Sequence, residues 1–248
     1  MSSQLTTLYK ISALAVAAIS SASASAQSAG DTIVSAGWAH IAPQDSSTPL
    51  RITSPMSASL PGSGASVDPT NTLGFSVTRF LTDNWATSLD LGIPPTYKLQ
   101  GTGSLASVGQ IGEAKQWAPT LLGKYFFADS NAQFRPFVGV GATYVRYTDI
   151  SLTQNFQQTV AGTLGLLSQG AIKATDTSAK LSSSWAPVVN VGINYAITKD
   201  WSASFSVSYV RLKTTADLTT TTNVGPVLST TKLTLNPIVT YLSVGYRF

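Results

Sequence analysis

The sequence predicts an all-β fold: an eight-stranded antiparallel transmembrane β-barrel with short periplasmic turns and long extracellular loops. Three observations predict it. The chain is 43% hydrophobic but only 10% charged, against about 25% charged residues in a typical soluble domain, and after residue 26 no run is apolar enough to span a bilayer as a helix. Apolar residues recur instead at alternate positions of short runs, as in strands with one face in lipid. The connections between those runs alternate between short and long, as they do when the turns face the periplasm and the loops face outward.

The first 26 residues stand apart. Lys10 precedes an apolar run from Ile11 to Ile19 and a small-residue tail ending Ala24-Ser25-Ala26, which reads as a secretory signal peptide with its cleavage site. Residues 27–248 are then the barrel. Eight runs are expected to cross: Thr32 to Ala42, Asn71 to Phe80, Trp85 to Ile93, Ala118 to Phe127, Phe134 to Tyr147, Trp185 to Ile197, Trp201 to Thr214 and Lys232 to Phe248. Each is near or above the roughly 9 to 11 residues that a tilted strand needs. Short turns are expected at Leu81 to Asn84, Ala128 to Gln133 and Thr198 to Asp200, and long loops at Pro43 to Thr70, Pro94 to Trp117, Thr148 to Ser184 and Thr215 to Thr231. A soluble sandwich, the competing all-β fold, has no reason to gather every long loop at one end.

The seventh run alternates most cleanly: Trp201, Ala203, Phe205, Val207 and Tyr209 share one face, and Ser202, Ser204, Ser206 and Ser208 the other. In the last run Ile238, Leu242, Val244, Tyr246 and Phe248 are in phase. Trp85, Tyr125, Phe127, Tyr195, Trp201, Tyr246 and Phe248 are expected to form the periplasmic aromatic girdle.

Composition excludes several chemistries. With no cysteine there is no disulfide, iron–sulfur or thiolate site. His40 is the single histidine, so a Ser-His-acid constellation has only that residue to be built around, and no serine elbow stands beside it. No phosphate-binding glycine loop opens a helix, and Gly101-Thr102-Gly103 reads as flexible external loop. No catalytic residue, metal or cofactor is therefore expected. The formal charge of +4 is unclustered, so nucleic acid is not an expected partner.

Specific stretches add a family resemblance. Pro119-Thr120-Leu121-Leu122, Lys124-Tyr125-Phe126-Phe127, Phe134-Arg135-Pro136-Phe137-Val138-Gly139-Val140-Gly141, Leu235-Asn236-Pro237 and Gly245-Tyr246-Arg247-Phe248 resemble the OmpW-type small outer-membrane barrels, which include the AlkL-like alkane importers. Asn236 and Ile238 depart from the family's usual Asp before the final proline and aromatic after it, and the loops differ, notably Gln154 to Ser184. The resemblance implies a barrel of the bacterial outer membrane with a hydrophobic passage for small apolar compounds, released sideways into the membrane. It implies outer-membrane lipid and such compounds as partners. Tyr246 and the terminal Phe248 resemble the signal read by the barrel-assembly machinery.

The inward positions, taken by depth, give a separate expectation. Ala186, Val188, Val210, Leu212, Pro237, Val239, Tyr241, Val145 and Tyr147 fall in the external half, and Ser202 to Ser208, Asn190, Asn194, Ser243, Arg135 and Arg247 in the periplasmic half. An apolar upper lumen over a polar lower one is expected, with Asp90, Lys124, Arg135 and Arg247 as a paired plug. Trp117, Trp185, Leu181, Val188, Val210, Leu212, Val239 and Tyr241 are the candidate lining of the passage. Trp185 is where the family carries a tryptophan at the mouth, though girdle residues are an equal reading of Trp117 and Trp185. Pro94, Pro95, Pro119, Pro187 and Pro237 are candidates for a lateral opening, because proline cannot donate to a strand ladder; ordinary strand termination is the alternative for each. The function expected is uptake of small hydrophobic compounds. The alternative is a non-transporting barrel that anchors the envelope or binds through loops such as Thr214 to Thr222.

Overall fold

The structure, a computed structural model, describes residues 27–248, and the expected signal peptide lies outside the described residues. In chain order the elements are β1 (Thr32–Ala42), β2 (Ser46–Ser47), β3 (Arg51–Ser54), β4 (Ala58–Ser59), β5 (Ser63–Val67), β6 (Thr70–Phe80), β7 (Trp85–Gly92), β8 (Thr96–Gly103) and β9 (Gln110–Trp117). Then follow β10 (Thr120–Phe126), β11 (Phe134–Leu152), helix α1 (Gln154–Leu167), β12 (Ala174–Leu181), β13 (Ser184–Ala196), β14 (Trp201–Val210), β15 (Lys213–Thr222), β16 (Val227–Thr234) and β17 (Ile238–Arg247).

Eight of these strands close a barrel. The order is β1, β6, β7, β10, β11, β13, β14, β17 and back to β1, every pair antiparallel. The closing pair runs from Ile33–Arg247 to Ala42–Ile238. Alternation decides which way each side chain points. Along β14, Trp201, Phe205 and Tyr209 are exposed on the outer wall while Ser202, Ser206 and Val210 are buried inside. Aromatic contacts tie the lower outer wall together, with Trp85–Tyr125, Tyr125–Phe127, Trp201–Tyr246 and Tyr246–Phe248 ring centroids 5.1, 5.1, 5.1 and 4.9 Å apart. Rings with one apolar face and one polar tip sit well at a membrane boundary.

The short turns fall where expected. Those at Leu81 and Ile197 are closed by backbone bonds to Trp85 and Trp201. The long connections are not loops. β11 runs for 19 residues, about 60 Å at strand rise, so it continues well past the membrane. Its upper part pairs with β9, which pairs with β8, which pairs with β5. Opposite stands a second sheet in the order β12, β15, β16, β3, β4, with β2 on β16. Gly101 to Gly103, expected to be flexible, lie in β8 and pair with Ser63 to Ala65. The segment expected as a binding loop, Thr214 to Thr222, is most of β15. Serine and threonine obscure strand periodicity here, since only Ala216 and Leu218 mark the inner face of β15 among the buried Thr214, Thr220 and Thr222.

Side chains complete the wall where ladders stop. At the free edge of β5, Ser47 accepts from the Ala65 N–H at 2.8 Å, the Asp45 carboxylate accepts from the Val67 N–H, and Ser63 accepts from the Leu50 N–H at 2.8 Å. Thr153 caps α1, accepting from the Phe156 N–H at 3.4 Å and donating to the Gln110 carbonyl at 2.7 Å. Phe156 and Leu164 anchor the helix on the outer sheets. The largest apolar core runs through this extension into the upper barrel, from Phe156, Ile111, Leu218 and Leu233 down to Val145, Val188, Val210 and Leu212.

Candidate functional site

The lumen is closed at the periplasmic end in layers. Lowest is Arg135 on β11, only 1% exposed. It donates to the Gln27 carbonyl and side-chain oxygens at 3.2 and 3.4 Å and to the Asp83 carbonyl in the turn after β6. Its guanidinium also lies 5.6 and 5.4 Å from the Phe80 and Phe126 ring centroids, within cation–π range. Above it, Phe80, Phe126, Phe137, Ile33 and Ala86 form an apolar layer. Next comes a polar layer in which Lys124 and Thr78 both donate to Ser88, at 3.1 Å each, and Ser88 donates to Asp90 at 2.5 Å.

The plug residues are therefore not one cluster. Asp90 and Lys124 stand 3.9 Å apart. Arg135 is a separate lower seal, and Arg247 pairs with Asp31 at 3.3 Å and Asp200 at 3.8 Å at the periplasmic rim. The aromatic layer also corrects the expectation of a polar lower half. Phe80, Phe126 and Phe137 point inward in phase with the serines, a signal present in the alternation but passed over. Gln27 was missed because it precedes the first strand.

Above Asp90 the chemistry changes. A cavity of about 150 Å³ is lined mainly by Ala39, Ile41, Val145, Val188, Val210 and Val239, with Thr72, Thr120, Thr143 and Gln116 also on its wall and Asp90, Tyr241 and Ser206 at its lower edge. Tyr241 reaches across to donate to the Gly74 carbonyl at 3.1 Å, and a Cβ at Gly74 would stand 2.8 Å from its ring. The cavity narrows upward to a waist of about 30 Å³ between Val67, Tyr97, Tyr147, Leu181, Leu212 and Leu235. Beyond the waist an outer pocket of about 70 Å³ is bounded by Leu50, Leu99, Ile111, Phe156, Leu218 and Leu233. Leu99, Leu181 and Leu233 are common to waist and outer pocket, and Tyr97, Gln116 and Leu212 to waist and lumen. Burial first, and the neighbouring Tyr147 second, push the Tyr97 phenol above its ordinary range, so it stays protonated.

The lumen cavity also reaches the outside of the wall. Its lining includes Phe75, Leu91 and Ile93, side chains on the membrane face. Pairing of β7 with β10 ends at Asp90–Thr120, and the next bond across this seam is Gln116 N–H to the Pro95 carbonyl, 3.1 Å. Between them Leu91, Gly92 and Ile93 face Trp117, Ala118 and Pro119. Pro94, Pro95 and Pro119 border the gap and have no N–H to bridge it.

The other two prolines do not mark openings. The Pro187 carbonyl accepts from Arg211 and the Pro237 carbonyl from Val210, both at 3.1 Å, and the ladder between β13 and β14 continues to Val188–Val210. Of the candidate lining, Leu181, Val188, Val210, Leu212, Val239 and Tyr241 face the passage. Trp117 and Trp185 do not. Trp185 is 73% exposed and its ring centroid lies 5.1 Å from that of Tyr144 on the outer wall, because it is one residue out of phase with the buried Ala186 and Val188. Trp117 is 51% exposed at the end of β9. Tyr97, Val67, Leu99, Ile111 and Leu218 were missed because they lie in segments read as loops, and Leu233 because the inward face of the last run was read only from Pro237. His40 bonds Asn71 at 2.9 Å and stacks on Trp38 on the outer wall, away from the passage. Tyr246 and Phe248 lie in the periplasmic girdle.

The sequence profile of the OmpW family matches residues 28–248. The chain belongs to the OmpW family. Outer membrane protein W of Vibrio cholerae is 34% identical over 234 residues, covering 94% of this chain and 95% of that protein. Outer membrane protein AlkL of Ectopseudomonas oleovorans is 30% identical over 189 residues, covering 76% of this chain and 71% of that protein. The crystal structure of the outer membrane protein OprG from Pseudomonas aeruginosa superposes with a TM-score of 0.76 at 26% identity, covering 90% of this chain and 98% of that one. This OmpW-family chain is thus an outer-membrane β-barrel of bacteria, with its wall in lipid.

Proposed function

We propose that this OmpW-family barrel takes up small apolar compounds from the outside and releases them sideways into the outer membrane. The supporting observation is the lumen cavity that touches Val188 and Val210 inside the barrel and Leu91 and Ile93 on its membrane face. Passage downward would require breaking the Lys124–Ser88–Asp90 network, the aromatic layer and the Arg135 seal. Buried charges stripped of their partners are costly. Sideways, the compound meets a mainly apolar wall and then lipid, and breaks no buried ion pair. The residues of the passage bind and guide rather than catalyse. The AlkL-like members of the family, as alkane importers, agree with this reading.

Replacing Val210 by Asn puts an amide into the mainly apolar lumen, and replacing Gly92 by Trp puts an indole into the lumen cavity beside the gap. Each is expected to slow uptake of a long-chain hydrocarbon into cells roughly tenfold, the effect of about 1.4 kcal/mol of lost apolar contact. Heat-modifiable electrophoretic mobility should remain that of the folded barrel. Undiminished uptake in both variants would refute the proposal.

A further inference from the structure

One polar atom stands inside the apolar passage without a partner. Tyr147 leaves β11 just above the last β11–β13 pair, Val145–Ser184, and its hydroxyl oxygen is buried with no hydrogen-bond partner among the described residues. It lines the waist with Val67, Tyr97, Leu181, Leu212 and Leu235. Because the waist shares residues with the outer pocket above and the lumen cavity below, a compound moving between them has to part the side chains of this narrow waist, and doing so uncovers the hydroxyl that they bury.

Buried tyrosine hydroxyls ordinarily find a partner, and leaving one unmade is a standing cost in an apolar setting. A phenol offers one O–H donor and accepting lone pairs. A passing compound with an oxygen of its own removes that cost, and a bare hydrocarbon does not. The waist carries no charged side chain, and the outer pocket before it presents almost wholly apolar surface, so an anionic head group finds no counter-charge on the way in. A neutral hydroxyl or carbonyl suits both conditions.

We propose that Tyr147 is a specificity-determining residue, and that the preferred passengers are apolar chains or rings bearing one neutral oxygen function. This rests on the uptake reading above and names its substrate class. The test compares uptake of labelled dodecane and 2-dodecanone by cells carrying the full chain, its Tyr147→Phe variant or no barrel. Heat-modifiable mobility establishes that the variant, which lacks a single oxygen atom, is folded.

The ketone is expected to enter through the wild-type barrel about fivefold faster than dodecane, the factor for one neutral hydrogen bond. Tyr147→Phe should bring the ratio of ketone to dodecane uptake near one. A ratio unaltered by the substitution overturns the proposal. So does an equal fall for both compounds, which would make Tyr147 a shape-filling residue and leave uptake itself standing. If the wild-type barrel speeds neither compound over barrel-free cells, the uptake reading fails and this proposal falls with it.

Discussion

Arg135 carries more of the periplasmic closure than any other residue. Its donors reach the Gln27 and Asp83 backbone while two aromatic rings flank its plane, a combination suited to the rigid fork of a guanidinium. Arg135→Ala leaves those acceptors unpaired and a space beneath Phe80, and is expected to cost about 3 kcal/mol, measured as a lower urea midpoint for the folded barrel. Arg135→Lys should recover less than half of that, because a point charge cannot serve Gln27 and Asp83 together. Equal stability of the arginine and lysine proteins would show that charge alone is needed. At this scale the sequence shows residue type and phase well but partners poorly. The inward position of Arg135 follows from alternation along β11, whereas Gln27, in no strand, has no periodicity to reveal it. Trp185 is the reverse case: the alternation that buries Ala186 and Val188 already turns it outward, in favour of the girdle position over the passage mouth, two readings that stood equal on residue type.

At the scale of elements, strands with one face in lipid were legible and strands outside the membrane were not. A lipid-facing strand must be apolar at every second position, so β14 and β17 stand out. β8, β12 and β15 have solvent on their outer side and carry Thr, Ser, Gly and Lys there, which resembles loop composition. Helix α1 was hidden in the same way within Gln154 to Ser184. It is held to the outer sheets chiefly by Phe156 and Leu164, while Leu166 and Leu167 stay exposed. Phe156→Ala is expected to release about 3 kcal/mol of burial, against a helix too short to persist alone in water. Backbone amides of residues 154–167 should then exchange hydrogen at least tenfold faster, while those of β13 and β14 keep their protection. Faster exchange throughout the barrel would show instead that the roof and the wall unfold as one unit.

For the molecule as a whole, the arrangement is a mainly apolar column over a layered base, with a gap in the ladder between β7 and β10 at its side. An eight-stranded barrel has an interior just wide enough for its own side chains, so an open cavity in the upper half depends on small or slender residues there, Ala39, Val145, Val188 and Val210, while phenylalanines fill the lower half. On the proposed uptake route the two halves differ in what each excludes, ions and water at the base and charged compounds in the column. Electrical and chemical measurements should therefore separate. In planar bilayers the barrel is expected to show no steady ion conductance at neutral pH, and in cells it is expected to speed hydrocarbon uptake. Weakening the base by combining Lys124→Ala with Phe126→Ala and Arg135→Ala removes one group from each layer and should open a water path, detected as discrete conductance steps. Hydrocarbon uptake should hardly change if, as proposed, its route leaves through the wall beside Gly92, above all three substitutions. If the wild-type barrel itself conducts ions steadily, or if opening the base raises hydrocarbon uptake in proportion to conductance, the compounds travel down the axis and the break beside Pro95 and Pro119 is only the end of a strand pair.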